Sequence, residues 1–383
     1  MSRPPATSRQ RKVLTGYFLG LGAVMALWGA RMPAVQHAAH LSTARLSLVL
    51  LAAAGGMVAG LTLGGRLARP EQLPALTLGG GSALAGCLAA LGQCTTLASL
   101  LLAALVFGAA HGILDVALNT AAVRCQHAIG RPVMASLHAA YSGGALTGAG
   151  LAAATARTPH SVIFLLTGLV LVVLVLATAS HTLVLCGPGQ AVPTGPGDGE
   201  GGRVLPTGKL WLLGALAAAT LLGEGAAADW AAVHLHSLHA TTTVSATAFA
   251  LYSAAMMTGR LTGDTLTTRF GAPTVARAGA LLSAVGLATG ASSDSASLAL
   301  AGWAAFGLGL STTIPSLITA AGPGGPTAVA TVSVTGYVGL LVGPALIGAL
   351  ATATSLSTSL LLPAFLAATV AALAPKALEK PTR

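Results

Sequence analysis

Charge is what this sequence has least of. Only 7% of its 383 residues are Asp, Glu, Lys or Arg, where a soluble domain carries about 25%. A water-facing surface of ordinary composition is therefore excluded. Aromatic residues make up 4% of the chain and asparagine occurs once, at Asn119, so little is available to stack on or grip a sugar ring. The four cysteines, Cys87, Cys94, Cys125 and Cys186, have neither disulfide-framework nor zinc-site spacing. No metal or cofactor is expected. The glycines between Gly187 and Gly208 are not followed by Gly-Lys-Ser/Thr, so they form no phosphate loop. Neither a His-Glu-x-x-His sequence nor an intramembrane serine nucleophile motif is present, and an enzyme is not expected.

What the chain does have is apolar length. Hydrophobic residues are 54% of it and the mean hydropathy is +0.80, arranged in runs of roughly twenty, enough to cross about 30 Å of hydrocarbon as a helix. Apolar windows bounded by Gly, Pro and charge predict helices near 13–32, 45–67, 73–92, 96–122, 134–156, 160–184, 209–232, 243–262, 273–292, 296–320, 327–351 and 357–374. Arg9, Arg11 and Lys12 ahead of an apolar stretch imitate a signal peptide, but eleven further spans make an uncleaved first helix the better reading. The net charge of +10 does not point to nucleic acid, because the bases are scattered between hydrophobic runs. They set topology instead. With both termini in the cytoplasm, all but Arg31, Arg45 and Arg157 of the 19 Lys and Arg lie inside, as the positive-inside rule demands of a multi-pass protein of the cell's inner membrane.

The expected fold is an all-α membrane protein of twelve transmembrane helices in two six-helix bundles. The first covers 1–186, a Gly/Pro-rich cytoplasmic linker covers 187–208, and the second covers 209–383. An offset of 199 residues aligns Gly60 with Gly259, Gly64 with Gly263, Pro74 with Pro273, Phe107-Gly108 with Phe306-Gly307, Thr120 with Thr319, and Gly144 with Gly343. One register equates helices two to five with eight to eleven. Two parallel six-helix repeats imply a pathway between them.

Gly259-Arg260-Leu-Thr-Gly263-Asp264, followed by Arg269 and Gly271, resembles the cytoplasmic loop signature of the major facilitator superfamily. His111-Gly-Ile-Leu-Asp115-Val-Ala-Leu-Asn119, Gly130-Arg131-Pro132, His138-Ala-Ala-Tyr141-Ser142 and Glu224-Gly-Ala-Ala-Ala-Asp229-Trp230 resemble a bacterial branch of it. The resemblance implies alternating access, a cavity lined by helices one, four, seven and ten, and a monomer. The first-half copy of the loop departs from the pattern, since Gly65 stands opposite Asp264 and only Arg66 and Arg69 remain. The glycine-proline pattern of many drug and proton antiporters is missing from helix five, while Gly339, Gly343-Pro344 and Gly348 place something similar in helix eleven.

Ionisable residues inside a span are costly and are functional candidates by default. His111, Asp115 and Asn119, spaced by four, share an arc of about 80° on one helix face. Their repeat equivalents are Leu310, Ile314 and Ile318, so only one half carries polarity there. The stripe reads either as a proton or substrate site or as hydrogen bonding between helices. His138, Tyr141 and Ser142 on helix five are expected at its depth, and Glu224 on helix seven is the second proton or substrate carboxylate. Asp229 and Trp230 read as an outer gate residue and an interfacial anchor. Gly259, Arg260, Gly263, Asp264, Arg269 and Gly271 read as a cytoplasmic gate in which the acid meets a base or a helix terminus. His234, His236 and His239 read as solvated loop histidines rather than a metal site.

Together these readings describe a carrier of a small solute, driven by protons and embedded in the lipid bilayer. Export of a metabolite or antibiotic by antiport is the first expectation, uptake of a sugar or other polar metabolite by symport the second. A receptor on a transporter scaffold is a third, and neutralising Asp115 or Glu224 would leave its activity intact.

Overall fold

The computed structural model describes residues 5–183 and 205–379, which are helical almost throughout. Most of the expected linker, 187–204, lies outside the described residues, as does Cys186. The twelve long helices are α1 (Pro5–Ala30), α2 (Thr43–Leu67), α3 (Leu73–Leu91), α4 (Leu97–Ile129), α5 (Met134–Ala154), α6 (His160–Ala177), α7 (Thr207–Ser237), α8 (Thr242–Phe270), α9 (Ala272–Ala291), α10 (Ala296–Leu310, continued by Thr313–Ala321), α11 (Gly325–Ala353) and α12 (Leu361–Leu378). Local chemistry sets their ends. Ser42, Thr241 and Ser295 accept from the N3 backbone N–H of α2, α8 and α10, and Thr96 with Ser99 forms a capping box on α4,. Gly130 ends α4 at φ 71°, donating to the carbonyls of Gln126 and His127,.

Nine stretches among the described residues are long and apolar enough to cross a membrane. One of them, Ala296–Ala353, has 58 residues, too many for one passage at about 1.5 Å per residue through about 30 Å. It contains both α10 and α11. Counting it twice and adding α5 and α8 gives the twelve helices of the fold. Helix α8 is less apolar than these, with threonine, serine and tyrosine through its first half and Arg260, Asp264 and Arg269 within its second.

That last fact corrects the sequence reading. The loop signature is not a loop: α8 continues to Phe270 because nothing between Asp264 and Phe270 breaks a helix, and the chain turns at Gly271, φ 81°, with Pro273 opening α9,. Helix α10 in turn is interrupted at Ser311-Thr312. Pro315 has no N–H to give the carbonyl of Ser311 and its ring crowds that turn,.

The chain divides into two compact units, one of residues 1–130, 140–203 and 324–331, the other of 131–139, 204–323 and 332–383. In the first, α2 packs on α4, α4 on α3, α3 on α6, and α1 on α4, around Phe18, Leu27, Phe107 and Phe164. In the second, α9 packs on α10 and α12, and α8 and α12 on α7, around Trp303, Phe306, Tyr252 and Leu310.

The glycines shared by the repeat do the same work in both units. A Cβ on Gly60 or Gly108 would collide with the carbonyls of Ala109 or Ala53, and one on Gly259 or Gly307 with Ser311 or the Tyr252 carbonyl. So α2 lies tightly on α4, and α8 on α10. Gly144 meets Leu19 and Gly148 meets Ala23, bringing α5 onto α1; Gly339 meets Ala218 and Gly343 meets Leu222, bringing α11 onto α7. Leucines and valines such as Leu51, Leu166, Val170 and Val173 point outward, suited to lipid rather than water.

Candidate functional site

The sequence placed Arg260 with the gate. In the structure Arg260 is interior, 7% exposed, and its Nη2 reaches Glu224 Oε1 on α7 at 3.5 Å. Charge-assisted N–H···O bonds usually measure about 2.7–2.9 Å, so the pair is loosely held. The Arg260 and Glu224 side chains are 9% and 20% exposed. The charge of Arg260 also bears on His138 at the start of α5 and on the buried phenol of Tyr252, and Glu224 bears on Tyr252 as well. Acid, guanidinium, imidazole and phenol are thus gathered in the second unit. Tyr252 did not stand out in the sequence. The rule that an intramembrane base needs an acid partner would have joined Glu224 to Arg260, had Arg260 not stood so close to the expected end of its helix.

One turn beyond Arg260, Asp264 closes a different contact. Its Oδ1 accepts from the N–H of Ala135 and its Oδ2 from the N–H of Ser136, both at 3.0 Å. These are N–H groups of the first turn of α5, which have no partner within the helix, and the carboxylate also matches the helix dipole there. Gly263 permits the approach, since a Cβ on it would press on Thr312 and Ala135. Its repeat equivalent is neutral. In the first unit Thr327 Oγ1 donates to the carbonyl of Gly65 at 3.1 Å, and a Cβ on Gly65 would meet Ala330 of α11. Arg269 is exposed and lies over the ring of Phe270 at 5.2 Å, so it does not share the contact of Asp264.

The stripe on α4 is buried in the first unit: His111 is 3%, Asp115 7% and Asn119 2% exposed. Asn119 Nδ2 donates to the Asp115 carbonyl at 3.0 Å. Four-residue spacing has kept all three off the lipid face. Tyr141 and Ser142, in the same unit, are half-buried. The carbonyl of Tyr141 is where α5 meets Gly22 of α1.

Arg31, an outer topology charge in the expected orientation, is 7% exposed and donates to the carbonyls of Thr155 and Ala156 and to Thr155 Oγ1. It satisfies carbonyls at the C-terminal end of α5, where a cation suits the dipole. His234 and His236 lie within α7 rather than in a loop, and buried His234 accepts from Trp303 Nε1 at 3.3 Å. Trp230 donates to the carbonyl of Pro344 at 3.1 Å, which turns it toward α11. Asp229 is exposed.

Comparison with known proteins agrees with this architecture. No family model matches the chain. It is 35% identical over 375 residues to an uncharacterized MFS-type transporter of Yersinia pestis, covering 96% of this chain and 95% of that one. It is 34% identical to an uncharacterized transporter of Sinorhizobium fredii, covering 95% and 97%. Among solved structures it resembles the E. coli fucose:proton symporter FucP, with a TM-score of 0.76, 15% identity and coverage of 97% and 98%. It also resembles the human organic anion transporter TETRAN, with a TM-score of 0.75, 14% identity and coverage of 97% and 100%.

Proposed function

Since this chain belongs to the major facilitator superfamily and is a multi-pass membrane transporter, we propose that it is proton-coupled and exports a small metabolite or antibiotic by antiport. It would act as a monomer in the inner membrane with both termini in the cytoplasm. The observation that carries this reading is the interior ion pair of Glu224 and Arg260. The two charges attract each other while Glu224 is ionised, and that attraction is lost when it takes up a proton. A proton arriving from one side converts the carboxylate to a neutral acid and removes its attraction for Arg260; loss of that proton to the other side restores the pair. Proton binding thereby changes how α7 and α8 hold together, which is the coupling that alternating access needs.

Asp264 is the latch in this scheme. It holds the start of α5 in the conformation seen here, and its release lets α8 and α5 move apart,. Gly259 and Gly263 keep α8 close enough for the latch to form, and Gly271 is the hinge beyond it. Arg269 serves as a flanking charge of this cytoplasmic gate, and Asp229 as a gate residue at the outer side. His138 and Tyr252 tune the pair through their proximity to Arg260, while His111, Asp115, Asn119 and Tyr141 line the substrate side. Scarcity of aromatic residues favours a solute other than a sugar.

Uptake by symport is the second reading, favoured by the buried stripe of His111, Asp115 and Asn119, which could hydrogen-bond a polar solute. The test compares metabolites inside and outside cells expressing the wild type or Asp115→Asn, with and without a protonophore. Export predicts a solute depleted inside and enriched outside only with the intact, energised protein. Accumulation inside would establish symport, and no difference from the variant would favour a receptor.

A further inference from the structure

A cavity lies in the first unit, away from the Glu224–Arg260 pair. It has a volume of about 620 Å³ between α1, α3 and α6, with Leu114 of α4 also lining it. Its walls are apolar, formed by residues such as Val13, Leu21, Val24, Leu84, Leu171 and Leu174. Its charged rim consists of Arg9 and Lys12 of α1 and His181 just beyond α6. All three are exposed. Gly16 and Gly20, one turn apart on α1, have nothing within 4 Å of the position a Cβ would take. Side chains there would fill the groove, and the sequence places none. Tyr17 stiffens the wall: its ring stands against Gly81, and its hydroxyl hydrogen-bonds Thr182 at 3.2 Å.

From Arg9 to Val24 the groove follows α1 for about 22 Å at 1.5 Å per residue, somewhat more than the roughly 15 Å of hydrocarbon in one leaflet. A long apolar slot that ends in two cations at the end of a membrane helix has the charge distribution of an anionic phospholipid turned inside out. We infer that this groove binds one anionic phospholipid, with an acyl chain along Gly16 and Gly20 and the phosphate at Arg9, Lys12 and His181. Basic sites between membrane helices at the interface suit such headgroups. The bound chain would fill the gap between α1 and α6 and brace α1 against α3.

The test is native mass spectrometry of the purified protein with phosphatidylglycerol or phosphatidylcholine carrying the same acyl chains. Wild type should retain phosphatidylglycerol preferentially. Arg9→Gln with Lys12→Gln should weaken phosphatidylglycerol binding on the order of thirtyfold, as expected for two interfacial charges, and phosphatidylcholine binding by much less, because its choline cation offsets its phosphate. Gly16→Leu with Gly20→Leu should weaken both lipids while preserving the preference. Equal retention of the two lipids by wild type, or undiminished phosphatidylglycerol binding by either variant, would overturn the proposal.

Discussion

Glu224→Gln should abolish the protonophore-sensitive part of transport while the protein still folds and still binds its solute. Glutamine has nearly the shape of glutamate and can accept a hydrogen bond from Arg260, so α7 and α8 keep their contact. What it cannot do is exchange a proton. A carrier whose coupling runs through this carboxyl group then loses the link between the proton gradient and the change of conformation, and accumulation or depletion falls to the level of passive exchange. The measurement is the steady-state ratio of solute across the membrane in energised cells, which should be the same with and without protonophore in the variant alone. Exchange of labelled for unlabelled solute with no gradient should survive. Loss of both activities would make Glu224 a binding residue instead.

Substitutions at Asp264 should act on rate and leave affinity alone. The carboxylate takes two backbone N–H groups at the first turn of α5, one on each oxygen. Removing such a cap costs about 1–2 kcal/mol, a factor of roughly 5–30 in the balance between latched and released conformations. Turnover should fall severalfold in Asp264→Ala with KM for the solute little changed. Asp264→Asn, which keeps one acceptor oxygen, should lie between it and the wild type. Initial rates over a range of solute concentrations decide this; a change in KM with unchanged turnover would place Asp264 at the substrate instead.

The sequence showed the architecture because a bilayer leaves little choice. Apolar runs of membrane-spanning length follow from that solvent, the 199-residue register shows the two halves as copies, and the helices lie close to the predicted spans. The repeat glycines were visible as matches, but that they bring α2 onto α4 and α8 onto α10 depends on which helix is the neighbour, which no periodicity encodes. The α4 stripe was legible because spacing by four fixes a shared face. By contrast, the pairing of Glu224 with Arg260 and the capping of α5 by Asp264 and Arg31 link residues 36, 129 and 124 positions apart. Single-helix reasoning could place these charges in spans or loops, but not choose their partners. His234 was misread because a histidine near a helix end looks solvated until Trp303 is brought beside it.

The central claim is that protons move through Glu224 in step with the solute. It is tested most directly with purified protein in vesicles loaded with a pH-sensitive dye and challenged with the solute fraction that expressing cells export. The account predicts a solute-dependent proton movement opposite in direction to the solute for the wild type, and none for Glu224→Gln despite continued solute exchange. Solute movement without any pH change in the wild type, or an undiminished pH change in the variant, would contradict it.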